Sequence, residues 1–478
     1  MSMSQPEPRA KPRQKAVTLV VAIFAAALIV GGLWGVFGTR GGKRDSRPRG
    51  SLDDVLALHE RSDLNVLFIL VDTLRADRLG AYGYERPTSP NIDSLAATGI
   101  RFAQQVSQSS WTKCSMSSLW TGLYPARTRS LRAYDVVSQG ATMPAEIFRD
   151  AGFRTAGIWR NGWVAPNFGF GQGFEIYLDP RIPRGNQVNR IDNPNITLEG
   201  SDADVIDSAR EFLRAHGHER WFLYLHMMDV HQYAYSEDSA IFGTTYSDSY
   251  DNAIHWVDSL IGYLIEELEQ RGLRERTLIV FTADHGEAFG EHGGEGHARN
   301  VYGEVTTTPW ILSFPFRLDP KIVVQARSEN VDLWPTVLEL VGLPAQPDTD
   351  GQSLVPQIAA AANGASEPDA EGTAIAHLDQ AWGRLQEKPQ PMVAINEGRW
   401  RLIYRAYRPK HSELYDKWQD PREQRNVADD WPDVYDELNA KAAAYLNSRP
   451  PPWGDDAPTV EIDEMQLNQL RALGYGVK

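Results

Sequence analysis

The sequence predicts an α/β fold built on a mostly parallel sheet with helices on both faces. Two observations carry that prediction. Residues 65–71 (NVLFILV), 221–225 (WFLYL) and 277–282 (TLIVFT) are short, continuous apolar runs, as strands buried on both faces require. Between them apolar residues recur at helical spacing, at Val205, Ala209, Phe212 and Leu213, then at Ile254, Val257, Ile261, Leu264, Ile265 and Leu268. Strands alternating with helices in this way are the pattern of a parallel sheet.

At 478 residues, with 42% apolar and 10% aromatic side chains, the chain has room for two or three domains and a sizeable core. The amino end stands apart. Residues 1–15 form a basic tail, and residues 16–38 run for 23 positions without a charge. As a helix that run spans about 34 Å against a hydrocarbon core of about 30 Å, which predicts a single-pass transmembrane anchor. Four Lys/Arg precede it and five follow before residue 50, so the positive-inside rule does not orient it. Residues 39–62 read as a linker. The first fifty residues carry nine Lys/Arg against two Asp/Glu, while the whole chain stands at −15, so the body is strongly acidic and no nucleic-acid partner is expected. Cys114 is the only cysteine, which excludes an intrachain disulfide and a Cys-based zinc cluster.

The main domain is expected over 63–370. Its polar loops 178–200 and 232–250 are long enough to shape a pocket mouth. A Pro/Ala/Gly/Asp-rich crossing segment at 344–372 leads to a smaller C-terminal α+β subdomain over 371–478, with a β-like stretch at 400–407 and a helix near 432–446. There are no internal repeats.

Sites in parallel sheets form at the carboxyl ends of the strands. The first run leads to Asp72 and Thr73, the second to His226, Asp229 and His231, the third to Asp284, His285 and, further on, His292 and His297. Carboxylates with one or two imidazoles suit manganese, zinc or calcium. Residues 110–125 (SWTKCSMSSLWTGLYP) read as a Ser/Thr-capped helix stopped by Gly122 and Pro125. A hydroxyl at its head would sit beside unpaired N–H groups, a place suited to an anionic ester and its nucleophile.

Together these stretches resemble the sulfatase family of the alkaline phosphatase superfamily. The resemblance covers about 65–475 and rests on NVLFILVDTLRAD, SPNIDSLAATGIRF, TGLYP, FTADHGEAFGEHG, VDLWPTVLELVGL, DGQSL and ELYDKWQDPREQRN. It implies an alkaline-phosphatase-like three-layer sandwich and a catalytic domain outside the cytoplasm, periplasmic in a bacterium. It also implies one divalent metal ion on Asp72, Asp284, His285 and Thr112. Thr73 replaces the second member of the family's Asp-Asp pair, and His285 stands where many sulfatases have Asn. His297 and His231 fall where the family places groups that serve the leaving oxygen, His231 without its usual flanking prolines. A second ion on His231, Asp229 and His297 is a variant of the same site.

The family nucleophile motif is C-x-P-x-R, whose Cys becomes formylglycine. Counted back from Thr121-Gly122, its Cys position is Thr112, its Pro is Cys114 and its Arg is Met116. Cys114 is therefore expected to pack as a small apolar residue. Thr at the nucleophile position is known in the superfamily among phosphoesterases, phosphonate-ester hydrolases and transferases. Lys113 and Arg160 are candidates to hold anionic oxygens, Arg160 lying in Ile158-Trp159-Arg160 where many sulfatases have Lys-Trp-His. Three functions stay open: cleavage of phosphoric or phosphonic esters by Thr112, with transfer to an acceptor as a variant; sulfuric ester hydrolysis; and non-catalytic binding of anionic glycans or lipids. The expected partners are an anionic ester, on a small molecule, lipid headgroup or glycan, and a membrane through 16–38.

Overall fold

The computed structural model describes residues 45–180, 200–368, 370–384, 386–447, 453–454 and 458–462. The chain divides into a unit ending at Arg47 and a unit from Pro48 onward. In the first, Arg47 pairs with Asp45 at 2.7 Å. The elements below all belong to the second.

Its large sheet has eight strands: β1 (Asn65–Val71), β2 (Ile100–Val106), β3 (Arg154–Trp159), β4 (Ile176–Leu178), β5 (Trp221–Met227), β6 (Thr277–Thr282), β7 (Thr307–Ser313) and β8 (Ile322–Glu329). They lie in the order β8-β2-β7-β6-β1-β5-β3-β4. From β6 across to β4 every neighbour is parallel. β7 enters antiparallel between β6 and β2, and β8 runs parallel to β2 at the edge.

β1, β5 and β6 are buried at every position, which is why they read as unbroken apolar runs. Their alternate side chains feed two separate cores. Val66, Phe68 and Leu70 of β1 join the helices α2 and α5 described next, whereas Leu67, Ile69 and Val71 join α1, α3 and α4. These helices are α1 (Pro90–Ala97), α2 (Thr112–Thr121), α3 (Asp202–His216), α4 (Tyr246–Gln270) and α5 (Leu333–Leu340). Helix, sheet and helix make the three-layer sandwich. α3 and α4 begin in capping boxes, Ser201 with Asp204 and Thr245 with Asp248, and α4 buries Ile254, Val257, Ile261, Leu264 and Leu268 along one stripe. Each such side chain contributes about 1.5–3 kcal/mol.

A second, antiparallel sheet follows in simple order, β9 (Ala374–Asp379), β10 (Pro391–Glu397), β11 (Trp400–Arg405) and β12 (Glu413–Asp416). Helix α6 (Pro432–Leu446) covers it, packing Leu438, Ala442 and Tyr445 with Val393, Ile395, Leu402 and Leu414. The segment at 344–372 is more than a crossing: it holds a helix, Val355–Ala362, whose Ile358 enters the main core.

The expectation of a single-pass membrane protein with an extracytoplasmic domain is corrected here. Among the described residues no helix is long and apolar enough to cross a membrane. The tail 1–15 and the stretch 16–38 that carried the expectation lie outside the described residues, as do 181–199 of the first pocket loop. Hydropathy there says how long a helix would be, and does not itself make one.

Candidate active site

β1, β5 and β6 end side by side, and the residues just beyond them meet. Asp72, Asp284 and His285 are fully buried and bring three ligand atoms within 4.8 Å of one another. Asp72 Oδ1 and Asp284 Oδ2 have no hydrogen-bond partner among the described residues. The other oxygen of each is held: Asp72 Oδ2 by Asn161 Nδ2 at 2.5 Å and His226 Nε2 at 3.1 Å, Asp284 Oδ1 by the backbone N–H groups of Thr73 (3.2 Å) and His285 (2.9 Å). Burial, and then the negative charge of Asp72, raise the Asp284 pKa.

His285 Nδ1 lies 3.0 Å from the Gly286 carbonyl, a contact that needs a proton on Nδ1. The Nε2 lone pair is thereby turned toward Asp72 and Asp284, at 3.8 and 3.4 Å. Two buried carboxylate oxygens without donors and one oriented imidazole lone pair fit a single divalent cation. This donor set does not choose among manganese, zinc and calcium.

Thr112 is the first residue of α2 and is fully buried. Its Oγ1 stands 3.2 Å from His285 Nε2 and accepts from Asn161 Nδ2 at 3.3 Å. The cap residue is Trp111, and no side chain caps the helix. Ser110 instead donates to the Asn300 carbonyl, and its own carbonyl accepts from Ala298 N–H, tying the head of α2 to the loop that carries His297. Trp111 stacks on Trp382 of the C-terminal region with centroids 4.4 Å apart, and Trp382 Nε1 donates to the Ala298 carbonyl. Cys114 points elsewhere. It is buried in the main core with Sγ 3.8 Å from the His377 carbonyl, and burial pushes its thiol up to about 12.

His297 and His231 both reach this cluster. The His297 ring lies 4.6 Å from that of His285 and 4.9 Å from that of His231. His297 Nδ1 is 3.1 Å from the buried Glu287 carboxylate. Burial works against a charge on His297, but Glu287 outweighs it and the pKa is raised. At His231 burial outweighs the pull of Asp72 and pushes the pKa down to about 4. The two histidines are thus shifted in opposite directions, His231 down and His297 up.

Both anion-holding candidates are engaged away from Thr112. Lys113 donates to the Ala133 and Asp135 carbonyls at 2.5 and 2.8 Å, beneath Trp111, Trp163 and Phe168, and burial pulls it down to about 7. Arg160 is buried between Asp202 (2.9 Å) and Asp229 (2.5 Å). Asp229 also accepts from Trp256 Nε1 at 2.9 Å, so it is not left over for a second ion. Position along a helix or after a strand places a residue without setting where a long side chain ends. His226, which the sequence placed among the candidates after the second run, lies inside β5 and holds Asp72. The sequence reading missed Asn161, two residues after β3, and Glu287, which lies inside FTADHGEAFGEHG.

Residues 64–343 match the family described as Sulfatase. The chain belongs to the sulfatase family. A second match, N-sulphoglucosamine sulphohydrolase C-terminal, covers residues 290–448. This sulfatase-family hydrolase is 23% identical to the N-acetylgalactosamine-6-O-sulfatase of Bacteroides thetaiotaomicron, over 78% of this chain and 91% of the relative. Its fold is similar to that of the phosphonate monoester hydrolase of Agrobacterium radiobacter, with a TM-score of 0.63 at 20% identity, over 80% of this chain and 95% of that one. It is likewise similar to a protein solved with its substrate D-glucosamine-2-N,6-O-disulfate, with a TM-score of 0.62 at 19% identity, over 80% and 98% of the two chains.

Proposed function

We propose that this chain cleaves phosphoric or phosphonic esters with Thr112 as nucleophile. The observation that carries the reading is Thr112 Oγ1 itself, 3.2 Å from His285 Nε2 and beside the two partnerless carboxylate oxygens, while Cys114 is buried two residues further on. The formylglycine of sulfatases comes from a Cys, and no Cys occupies this position.

A divalent cation held by Asp72, Asp284 and His285 would supply positive charge against the ester's anionic oxygens and acidify the Thr112 hydroxyl. Asn161 donates to Thr112 Oγ1 and to Asp72, and its own Oδ1 accepts from Trp163 N–H at 2.9 Å, which fixes the amide's orientation. The lone pair of Thr112 left for attack is thereby aimed. His226, held by Tyr224 at 2.6 Å, steadies Asp72 from behind. Thr112 loses its proton to water and forms the bond to phosphorus as the bond to the leaving oxygen breaks, and His297, its proton favoured by Glu287, gives that oxygen a proton. Neutral His231 is then suited to take a proton from the water, or acceptor hydroxyl, that releases the group.

Sulfuric ester hydrolysis is the second reading, favoured by relatives named as sulfatases, among them the N-acetylgalactosamine-6-O-sulfatase. The test is turnover of nitrophenyl phosphate, phosphonate and sulfate esters with manganese, zinc or calcium by the wild type, Thr112→Ala and Cys114→Ala. Phosphoester or phosphonate turnover lost with Thr112→Ala and kept with Cys114→Ala is the expected result. Sulfate turnover that needs Cys114 overturns it.

A further inference from the structure

The hairpin between β11 and β12, with the edge of β9–β10, encloses a polar cavity of about 570 Å³. Arg405, Arg408, Lys410 and His411 line it, a local concentration of cations in a chain of net charge −15. Arg405 is neutralised by Glu413 at 3.2 Å. Arg408 and Lys410 are exposed and, among the described residues, pair with no carboxylate; the contact of Arg408 is with the ring of Tyr407, 5.3 Å away. Tyr407 is itself 57% exposed, so that an aromatic ring reaches solvent beside two charges with no carboxylate partner among the described residues.

The cavity is joined to the active site by its own walls. Gln380, on its rim, donates to the Arg299 carbonyl at 2.8 Å, and Arg405 donates to Tyr302 Oη at 2.9 Å. Both contacts fall on the loop that carries His297, and Ala298 of that loop is the residue held by Trp382 and Ser110.

We infer that this cavity binds a second anionic group of an extended substrate, a sugar ring bearing sulfate or phosphate esters. The ring face lies on Tyr407, and the ester oxygens accept from Arg408 and Lys410. Two exposed cations on the rim suit oxygens of either ester, so phosphate and sulfate are one chemistry here. An aromatic face adjoining them fits a ring better than a free ion. The inference rests on reading Thr112 as attacking an anionic ester, since it makes the cavity a place for the remainder of that ester's carrier.

The test uses the full chain with Thr112→Ala, so that the probes are not consumed, titrated by calorimetry at low salt. The probes are a sulfated tetrasaccharide, a polyphosphorylated sugar, the desulfated tetrasaccharide, inorganic sulfate and phosphatidylglycerol vesicles. Adding Arg408→Ala and Lys410→Ala is expected to weaken a charged sugar about 10-fold, as loss of two partly screened charge-assisted contacts would. Arg408→Glu is expected to weaken it further, with melting temperature as the control for folding. Equal affinity for both charged sugars before and after the substitutions overturns the inference. So does an equal loss for the desulfated tetrasaccharide, or a loss confined to inorganic sulfate or to vesicles. Turnover of nitrophenyl esters by Thr112→Ala is read separately: if it persists while the rim variants still lose the charged sugar, the reading of Thr112 fails and the cavity stands.

Discussion

Among the described residues, two clusters of histidine and carboxylate have the spacing of an ion site, and they are built from the same kinds of residue. Asp72, Asp284 and His285 form one; His292, Glu304 and Glu423 form the other. In the second, every charge has a protein partner. His292 is 2.8 Å from Glu304 and from the Glu423 carbonyl, while the Glu423 carboxylate takes Lys417 at 2.6 Å, Arg401 at 3.3 Å and the Gly303 N–H at 3.0 Å. In the first, two buried carboxylate oxygens have no hydrogen-bond donor among the described residues. Ligand-type residues in proximity are common to both. What separates an ion site from a structural network is charge left uncompensated in the absence of an ion.

The sharpest way to break that contrast is to remove one carboxylate from each cluster. Asp284→Asn is expected to lower kcat/KM by about 10³-fold or more. Added divalent cation should raise the melting temperature of the wild type, by about 3 kcal/mol of linkage at one hundred times Kd, and should leave Asp284→Asn unmoved. Without the ion the variant should be no less stable than wild type, because Asp284 is already strained by burial and by Asp72. Glu423→Gln should instead cost about 3–5 kcal/mol with or without the ion, since buried Arg401 is left unpaired. A cation-dependent shift in Asp284→Asn, or none in wild type, would end the comparison. Calorimetry with and without chelator reads both.

His297→Gln is expected to lower kcat by about 10²–10⁴-fold for esters with a poor leaving group. The pH profile carries the finer prediction. His297 is raised by Glu287 against the pull of burial, so the acid form is lost, and kcat/KM falls, as pH rises through that raised value. Glu287→Gln removes the largest opposition to burial, leaving that of Asp72 and Asp284, and should move this alkaline limb to lower pH. An unmoved limb would assign the proton to another group.

The smallest expected effect concerns the second cluster. Glu304 and the Glu423 carbonyl overcome burial and raise His292 to about 9 from an ordinary 6.5. Its stabilisation is therefore complete below about pH 6.5 and is lost as pH rises through about 9. His292→Gln should flatten that decline, a matter of about 1–2 kcal/mol after screening, seen as a melting temperature that varies less between pH 7 and 10 than in wild type.

Much of this architecture was legible. β1, β5 and β6 are apolar at each position because both faces of the sheet are covered, and the reactive residues directly follow them. β7 was not legible: TTPWILS opens on polar residues and proline, and its place between β6 and β2 depends on partners distant in sequence. The structure brings Asp72, Thr112, Asp284, His285, His231 and His297 into one neighbourhood, but the directions of individual side chains were not legible. Lys113 follows Thr112 in the chain, yet one residue along a helix turns a side chain by about 100°, and its ammonium ends on the far carbonyls of Ala133 and Asp135. Asn161 has the reverse history. A lone amide after a strand has no spacing partner to mark it, and its importance comes from three neighbours that only the folded chain supplies, Asp72, Thr112 and Trp163.

The stacked indoles of Trp111 and Trp382 sit at the head of α2, Trp111 next to Thr112 in the chain, with their planes inclined by 23°. Two such chromophores in van der Waals contact, slightly rotated, share their excited states and give a paired positive and negative band in circular dichroism. The protein thus carries an intrinsic optical reporter of whether its C-terminal region is seated on the head of α2, readable without a label and without a substrate.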